Sequence, residues 1–219
     1  GATLRYTTDG TLPTLDNGET SQTGVFTIEE TTVFRFRLFQ DGYLPSEVAT
    51  RSYIYKDRDY TLPIMSIVAD PKDLYDDTIG CYVRGTNGMR GRGQSSPANW
   101  NQDWERPVNF EYLVDGEDVL NQEVTFSVAG GWSRGWAPSS FKLKGNKKFG
   151  TSVSNDPVVS HQKHLDYPFF KDKPYIRNRT LQNRNAGNDI ENGKPGRMTD
   201  AVLQRVALTS GIDLDGQSA

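Results

Sequence analysis

The chain has 219 residues, enough for one large or two small domains with a real core. Its net charge of −3 excludes a nucleic-acid binder built on a basic face, and an 11% aromatic content marks a folded chain with a ring-rich core. Cys81 stands alone, which excludes an internal disulfide and a cysteine-built zinc site; no apolar run approaches the ~20 residues of a membrane span.

In chain order, Leu4 to Thr7 reads as a strand closed by the turn signal Thr8-Asp9-Gly10. From Val33 to Phe39 the pattern alternates, with Phe34, Phe36 and Leu38 on one face and Arg35 and Arg37 on the other, the mark of a half-buried strand. Asp41-Gly42 is the next turn, and Val48 to Tyr55 supplies another strand. Residues 1–56 therefore read as an all-β module of sandwich type. Lys56-Asp57-Arg58-Asp59 forms a charged linker, and residues 60–219 make a second unit.

The second unit opens with an apolar strand, Leu62 to Val68. Asp70 then caps a short helix that begins at Pro71. The glycine-rich stretch Gly85 to Asn99 reads as an exposed loop. Asp103 to Tyr112 and Val124 to Val128 are strands joined through the hairpin turn Asp115-Gly116, and Phe141 to Lys144 alternates again. Thr199 to Ser210 predicts a helix capped by Thr199 or Asp200 and stopped by Gly211, with Met198, Val202, Leu203 and Val206 as its apolar stripe. The fold class expected is α+β: a partial immunoglobulin-like β-sandwich, then a mainly antiparallel β region with a few helices.

Two resemblances sit on these residues. Ala2-Thr3-Leu4-Arg5-Tyr6-Thr7-Thr8-Asp9-Gly10-Thr11-Leu12-Pro13-Thr14, with Tyr43-Leu44-Pro45-Ser46 and Tyr53, resembles the chitobiase/β-hexosaminidase C-terminal module, an accessory β-sandwich without catalytic residues. The first strand of that module would lie upstream of Gly1, so a partial module is expected. Tyr6 and Asp9 then serve turn and core. The second resemblance is to the CotH (spore coat protein H) kinase family. It rests on Leu62-Pro63-Ile64 to Asp70-Pro71, Trp104-Glu105-Arg106-Pro107 with Glu111-Tyr112, Gly130-Gly131-Trp132-Ser133-Arg134 leading to Ser140-Phe141-Lys142-Leu143-Lys144, and Arg184-Asn185-Ala186-Gly187-Asn188-Asp189 followed by Asp200.

That resemblance implies the kinase N-lobe-like front portion of an exported, atypical protein kinase using ATP with Mg2+ or Mn2+. It also implies that the catalytic and metal-holding carboxylates lie beyond the last helix, so that this stretch is inactive alone. The chain has no HRD-like loop, DFG-like motif or Walker glycine loop. Two departures from the family pattern stand out: Ser139 precedes Ser140 where the family often has Lys, and Thr199 precedes Asp200 where it commonly has Arg. The candidate nucleotide-site residues are Arg134, Lys142, Lys144, Arg184, Asp189 and Asp200, with Gly130 to Arg134 as a flexible loop over phosphates.

Each has a plainer reading. Lys142, Lys144, Lys147 and Lys148 suit a solvated strand end, Arg184 with Asp189 a structural ion pair, and Asp200 a helix N-terminus. His161, His164 and Asp166 suit a surface loop, because a metal site needs further ligands. Asn178-Arg179-Thr180 matches a glycosylation sequon. Both resemblances imply an extracellular or cell-surface protein whose partner is a protein substrate or a surface polymer. The competing function is a non-catalytic, carbohydrate-associated scaffold; glycoside hydrolysis lacks an identifiable acid/base carboxylate pair.

Overall fold

The computed structural model describes residues 1–91, 94–145, 163–170, 173–185 and 198–214. Antiparallel sheet dominates, with few helices. Strands β1 (Thr3–Thr7), β2 (Glu19–Ser21), β3 (Thr32–Phe39) and β4 (Ala49–Tyr53) form one sheet in the order β2-β1-β3-β4. On one face Tyr6 and Phe36 are cross-strand partners, Phe34 and Phe36 stack at 5.3 Å, and Phe26 closes over Tyr6 edge-on at 4.8 Å. Such ring pairs are what period-2 placement of aromatics on a pleated strand produces.

The other face departs from expectation. A half-buried strand should leave its charged face in water, yet Arg35 is 4% exposed and Arg37 6%. The physical reason is that acceptors meet both guanidinia: main-chain carbonyls of the module itself, with Arg37 Nε donating to the Ser46 carbonyl at 2.9 Å, and, for Arg35, a carboxylate of the second sheet. Arg35 Nη1 donates to the Gly10 carbonyl at 3.0 Å, and its Nη2 pairs with Glu123 at 3.4 Å. Gly10 itself sits at φ +85° with the Ala69 carbonyl oxygen 2.5 Å from where a Cβ would stand, so only glycine allows this approach.

The second sheet is built from β5 (Ile64–Val68), then, after α1 (Pro71–Tyr75), β6 (Met89–Gly91) and β7 (Gln94–Ala98), from β8 (Arg106–Val114), β9 (Glu117–Val128) and β10 (Phe141–Lys144). The short pair β11 (Leu165–Asp166) and β12 (Arg177–Asn178) follows; β13 (Thr180–Asn183) completes the order β13-β10-β9-β8-β5, and α2 (Thr199–Thr209) comes last. Asp115 and Gly116 both take positive φ, 53° and 86°, the combination that a two-residue hairpin turn matched to strand twist requires. Val108, Phe110 and Tyr112 of β8 meet Val124, Phe126 and Val128 of β9 in the core, with Leu143, Leu165 and Phe169 packed against them. Each such side chain contributes about 1.5–3 kcal/mol on burial.

Cys81 belongs to the same core at 2% exposure, and burial pushes its thiol up to about 11. At the start of α1 the Asp70 carboxylate accepts from the Lys72 N–H at 2.9 Å, with Pro71 at the first helical position, as the sequence predicts. Asp70→Ala is expected to cost about 1 kcal/mol in urea unfolding; no loss would show that the cap is dispensable.

Two expectations are corrected. Gly85 to Asn99 is not a featureless loop: β6 and β7 pair antiparallel within it, and Asn99 Nδ2 ties its end to the carbonyls of Asp77 (3.0 Å) and Gly80 (3.1 Å). The helix α2 has Met198 at its cap position with no side-chain cap bond, so neither Thr199 nor Asp200 caps it. Its apolar stripe of Met198, Val202, Leu203 and Val206 is exposed among the described residues. Gly211 does end it, at φ +80°.

Candidate functional site

The residues singled out above gather around the β10–β13 edge of the second sheet. The turn preceding β10 is a 3₁₀ helix, Trp132–Gly135, entered through Gly130 at φ +99°. Arg134 is buried inside this turn: Nε donates to the Gly130 carbonyl at 2.7 Å and Nη1 to the Trp100 carbonyl at 2.7 Å. Ser139 Oγ donates to the Arg134 carbonyl at 2.7 Å, and the Ser139 N–H donates to the Tyr82 hydroxyl at 2.8 Å. The turn is therefore pinned from within and from behind rather than left as a flap, and Arg134 braces it.

Asn185 ties this turn to the sheet. Its N–H donates to Ser140 Oγ at 2.9 Å, that hydroxyl donates to Asn185 Oδ1 at 3.0 Å, and Asn185 Nδ2 donates to the Trp136 carbonyl at 3.2 Å. One residue onward from β10's start, the exposed Lys142 lies between Ser127 and Gln182. Lys144 shares that face, between Thr125 and Thr180, and its ammonium pairs with Glu105 at 3.1 Å. Arg184, directly before Asn185, pairs with Asp200 at 3.2 Å. This ion pair joins the sheet edge to the first turn of α2, where the helix dipole favours a carboxylate.

The structure thus brings Arg184 and Asp200 into contact and sets Lys142 and Lys144 on one face, while the Arg134 guanidinium is held by main-chain carbonyls. Asp189, Lys147, Lys148 and His161 lie outside the described residues. The His164 carbonyl accepts from Gln122 at 3.1 Å, and Asp166 pairs with Arg177 at 3.7 Å. Among the described residues no group of three or more His, Cys, Asp or Glu is arranged to hold a metal, and no helix is long and apolar enough to cross a membrane. The sequon asparagine is buried, its amide donating to the Tyr167 carbonyl at 3.1 Å.

Glu105 and Asn185 are the residues that pattern reading passed over. Both stand inside motifs quoted for the CotH resemblance, but neither a lone carboxylate nor a lone amide declares from spacing alone which strand it will face.

Residues 1–50 match the chitobiase/β-hexosaminidase C-terminal domain family. No curated protein and no solved structure matches the chain. The match ends within β4, so it concerns the first sheet alone. In this chitobiase-type module Tyr6 and Asp9 are local fasteners. The Asp9 carboxylate accepts from the Thr11 hydroxyl at 2.6 Å and the Thr11 N–H at 2.9 Å, bonds that lower its proton affinity. Tyr6 donates to Glu19 at 2.5 Å, which raises the phenol's.

Proposed function

We propose that this chain is the front portion of an exported protein kinase of the CotH type. Residues 60–219 form its N-lobe-like, phosphate-facing half, and the chitobiase-type module serves as an accessory. The observation that supports this reading is the convergence at Asn185: the Gly130–Gly135 turn, the start of β10 and the Arg184-Asn185 segment meet through its hydrogen bonds, beside the exposed Lys142. Phosphoryl transfer requires cations on the phosphates, carboxylates on a divalent metal and a carboxylate near the acceptor hydroxyl.

The first requirement fits Lys142 and Lys144, which share an open strand face, and Arg184 at its border. The second does not fit the described residues, among which no group of three or more His, Cys, Asp or Glu is arranged to hold a metal; in this reading those carboxylates come from residues beyond α2. Lys142 is the group assigned to the phosphates. Lys144 and Arg184, each held by a carboxylate, set the shape of the face.

The test is a thermal-shift titration with ATP and Mg2+ or Mn2+ on this chain and on the chain extended downstream. Saturation at about 100 times Kd contributes about 2.7 kcal/mol, a rise of about 5–10 °C for a protein of this size. The extended wild-type protein is expected to show that rise and Lys142→Ala to lose most of it. No shift in the extended protein would end the kinase reading. It would leave the second one, a non-catalytic, carbohydrate-associated scaffold, which the match over residues 1–50 favours. That alternative predicts retention on an insoluble polysaccharide with or without ATP.

A further inference from the structure

We infer that the junction between the two sheets is a proton-operated latch whose titrating group is the Glu111 carboxyl, which ties the chitobiase-type module down when protonated and loosens it when ionised. This inference is independent of the kinase reading. Glu111 lies in the middle of β8, between the core residues Phe110 and Tyr112, but on the opposite face, where the module covers it. Its exposure is 2%, a rare state for a carboxylate and a costly one if the charge is uncompensated.

The compensation comes from three other strands. Glu111 Oε2 is hydrogen-bonded to the Ser52 hydroxyl of β4, which is 2.7 Å from the Ser66 hydroxyl of β5. Asn121 of β9 donates through Nδ2 to Glu111 Oε1 at 2.8 Å and to the Thr50 carbonyl of β4 at 2.9 Å. The amide orientation is secured by Asn109, whose Nδ2 donates to Asn121 Oδ1 at 3.1 Å. Two of the four strands belong to the hairpin of the second sheet and one to the module, so the carboxyl stands at the point where the sheets are joined.

Hydroxyls make this network reversible. With Glu111 ionised, Ser66 donates to Ser52 and Ser52 to the carboxylate. With Glu111 protonated, its O–H donates to Ser52 and Ser52 donates to Ser66. Both chains use the same oxygens, so a proton taken from solvent onto Oε2 keeps the hydrogen-bond partners and removes only the buried charge, which is what strains the junction when Glu111 is ionised. A rigid cation partner would have locked the charged state, but the guanidinium that approaches, Arg51, is 3.8 Å from Oε1, more than half exposed, and nearer to Asp118 at 3.3 Å.

The charged groups around the latch are therefore Arg51 from β4, Asp118 and Glu123 from β9, and Arg35 from β3, the last two paired with each other. Burial is the largest influence on Glu111 and raises its proton affinity. Asp118 adds to that effect; the bonds from Ser52 and the attraction of Arg51 oppose it. For an acid raised above its ordinary value of 4.5, the folded junction holds the proton more tightly than the open one. Its stabilisation is complete below that ordinary value and is lost as pH rises through the folded one. Docking thus tightens in acid, the reverse of a salt-bridged carboxylate.

Hydrogen exchange of the full chain, corrected for intrinsic rates, measures the latch at its own strands. Between about pH 4 and about pH 7.5, exchange in β4 and in the first half of β9 is expected to rise several-fold in the wild type, while β10 changes little. Glu111→Gln, neutral at every pH, can keep both bonds, with Asn121 as it stands, its Oε1 accepting from Asn121 Nδ2 and its Nε2 donating to Ser52 as the protonated acid does, and is expected to hold the low-pH protection throughout. Junction protection that ignores pH in the wild type, or that keeps its pH response in Glu111→Gln, overturns the proposal. Should that variant fail to fold, the side-chain carboxyl resonance of Glu111 in the labelled wild type decides: a midpoint above the ordinary glutamate value supports the latch, and one at or below it refutes it.

Discussion

Arg35→Ala is expected to lower the unfolding free energy by about 3–5 kcal/mol, the loss typical when one member of a buried pair is deleted. The pair with Glu123, at 3.4 Å, is nearly dry, with the two side chains 5% and 13% exposed, and the same guanidinium holds the Gly10 carbonyl. Its removal leaves a carboxylate facing the sheet junction without this cation and loosens the turn that seats Gly10 on Ala69. Exposed ion pairs behave differently: Lys56→Ala, which breaks the surface pair with Asp59, is expected to cost less than about 1 kcal/mol.

The spectroscopy can separate the two halves. All four tryptophans (Trp100, Trp104, Trp132 and Trp136) lie in the second unit, so tryptophan emission follows that unit while far-ultraviolet dichroism follows both. In Arg35→Ala the two signals should part, the dichroism falling first. Coincident transitions with a loss under about 1 kcal/mol would mean that the junction does not depend on this arginine.

Phe110→Ala should cost about 3–5 kcal/mol for the opposite reason, a void in place of a ring. Phe110 is fully buried, 6.2 Å from the Tyr112 ring and 6.5 Å from that of Phe169, with β strands on both sides to resist collapse. The melting temperature is expected to fall on the order of 10 °C, with tryptophan emission and dichroism moving together. Leu38→Ala, at a site about half exposed, removes a similar apolar surface that water already reaches and should change stability by less than about 1 kcal/mol. Equal losses in the two variants would mean that the core is not where the packing puts it.

Local chemistry explains what pattern reading could reach. The strands of β3, β8 and β10, the Asp115-Gly116 turn and the Asp70-Pro71 helix start are each determined by neighbours within a few residues, and each forms at the expected place, β8 beginning at Arg106 in place of Asp103 and running on to Val114. Alternation in β3 separated Phe34 and Phe36 from Arg35 and Arg37 correctly, but it carries no information about which face meets water. For Arg35 that is decided by Gly10 and by Glu123, 88 residues away, and for Arg37 by the Ser46 carbonyl.

The β6–β7 hairpin was illegible because glycines that look like loop residues serve packing: a Cβ on Gly85 would fall 2.0 Å from the Asn99 amide nitrogen. In the candidate site, the basic residues on β10 could be read from alternation, whereas their partners could not. The pairing of Arg184 with Asp200 in place of Asp189, and the engagement of Arg134 by two carbonyls, depend on how distant segments meet.

The seclusion of Cys81 has a practical chemical consequence. A thiol sealed behind Ala69, Val108 and their neighbours, and reluctant to ionise below about pH 11, presents almost no thiolate to an alkylating reagent at neutral pH. Maleimide probes will therefore ignore the native chain while it stays folded. A pair of engineered cysteines, one on each sheet, can then carry spin labels or fluorophores without first removing Cys81, and the distance between the halves becomes measurable in the otherwise unaltered protein.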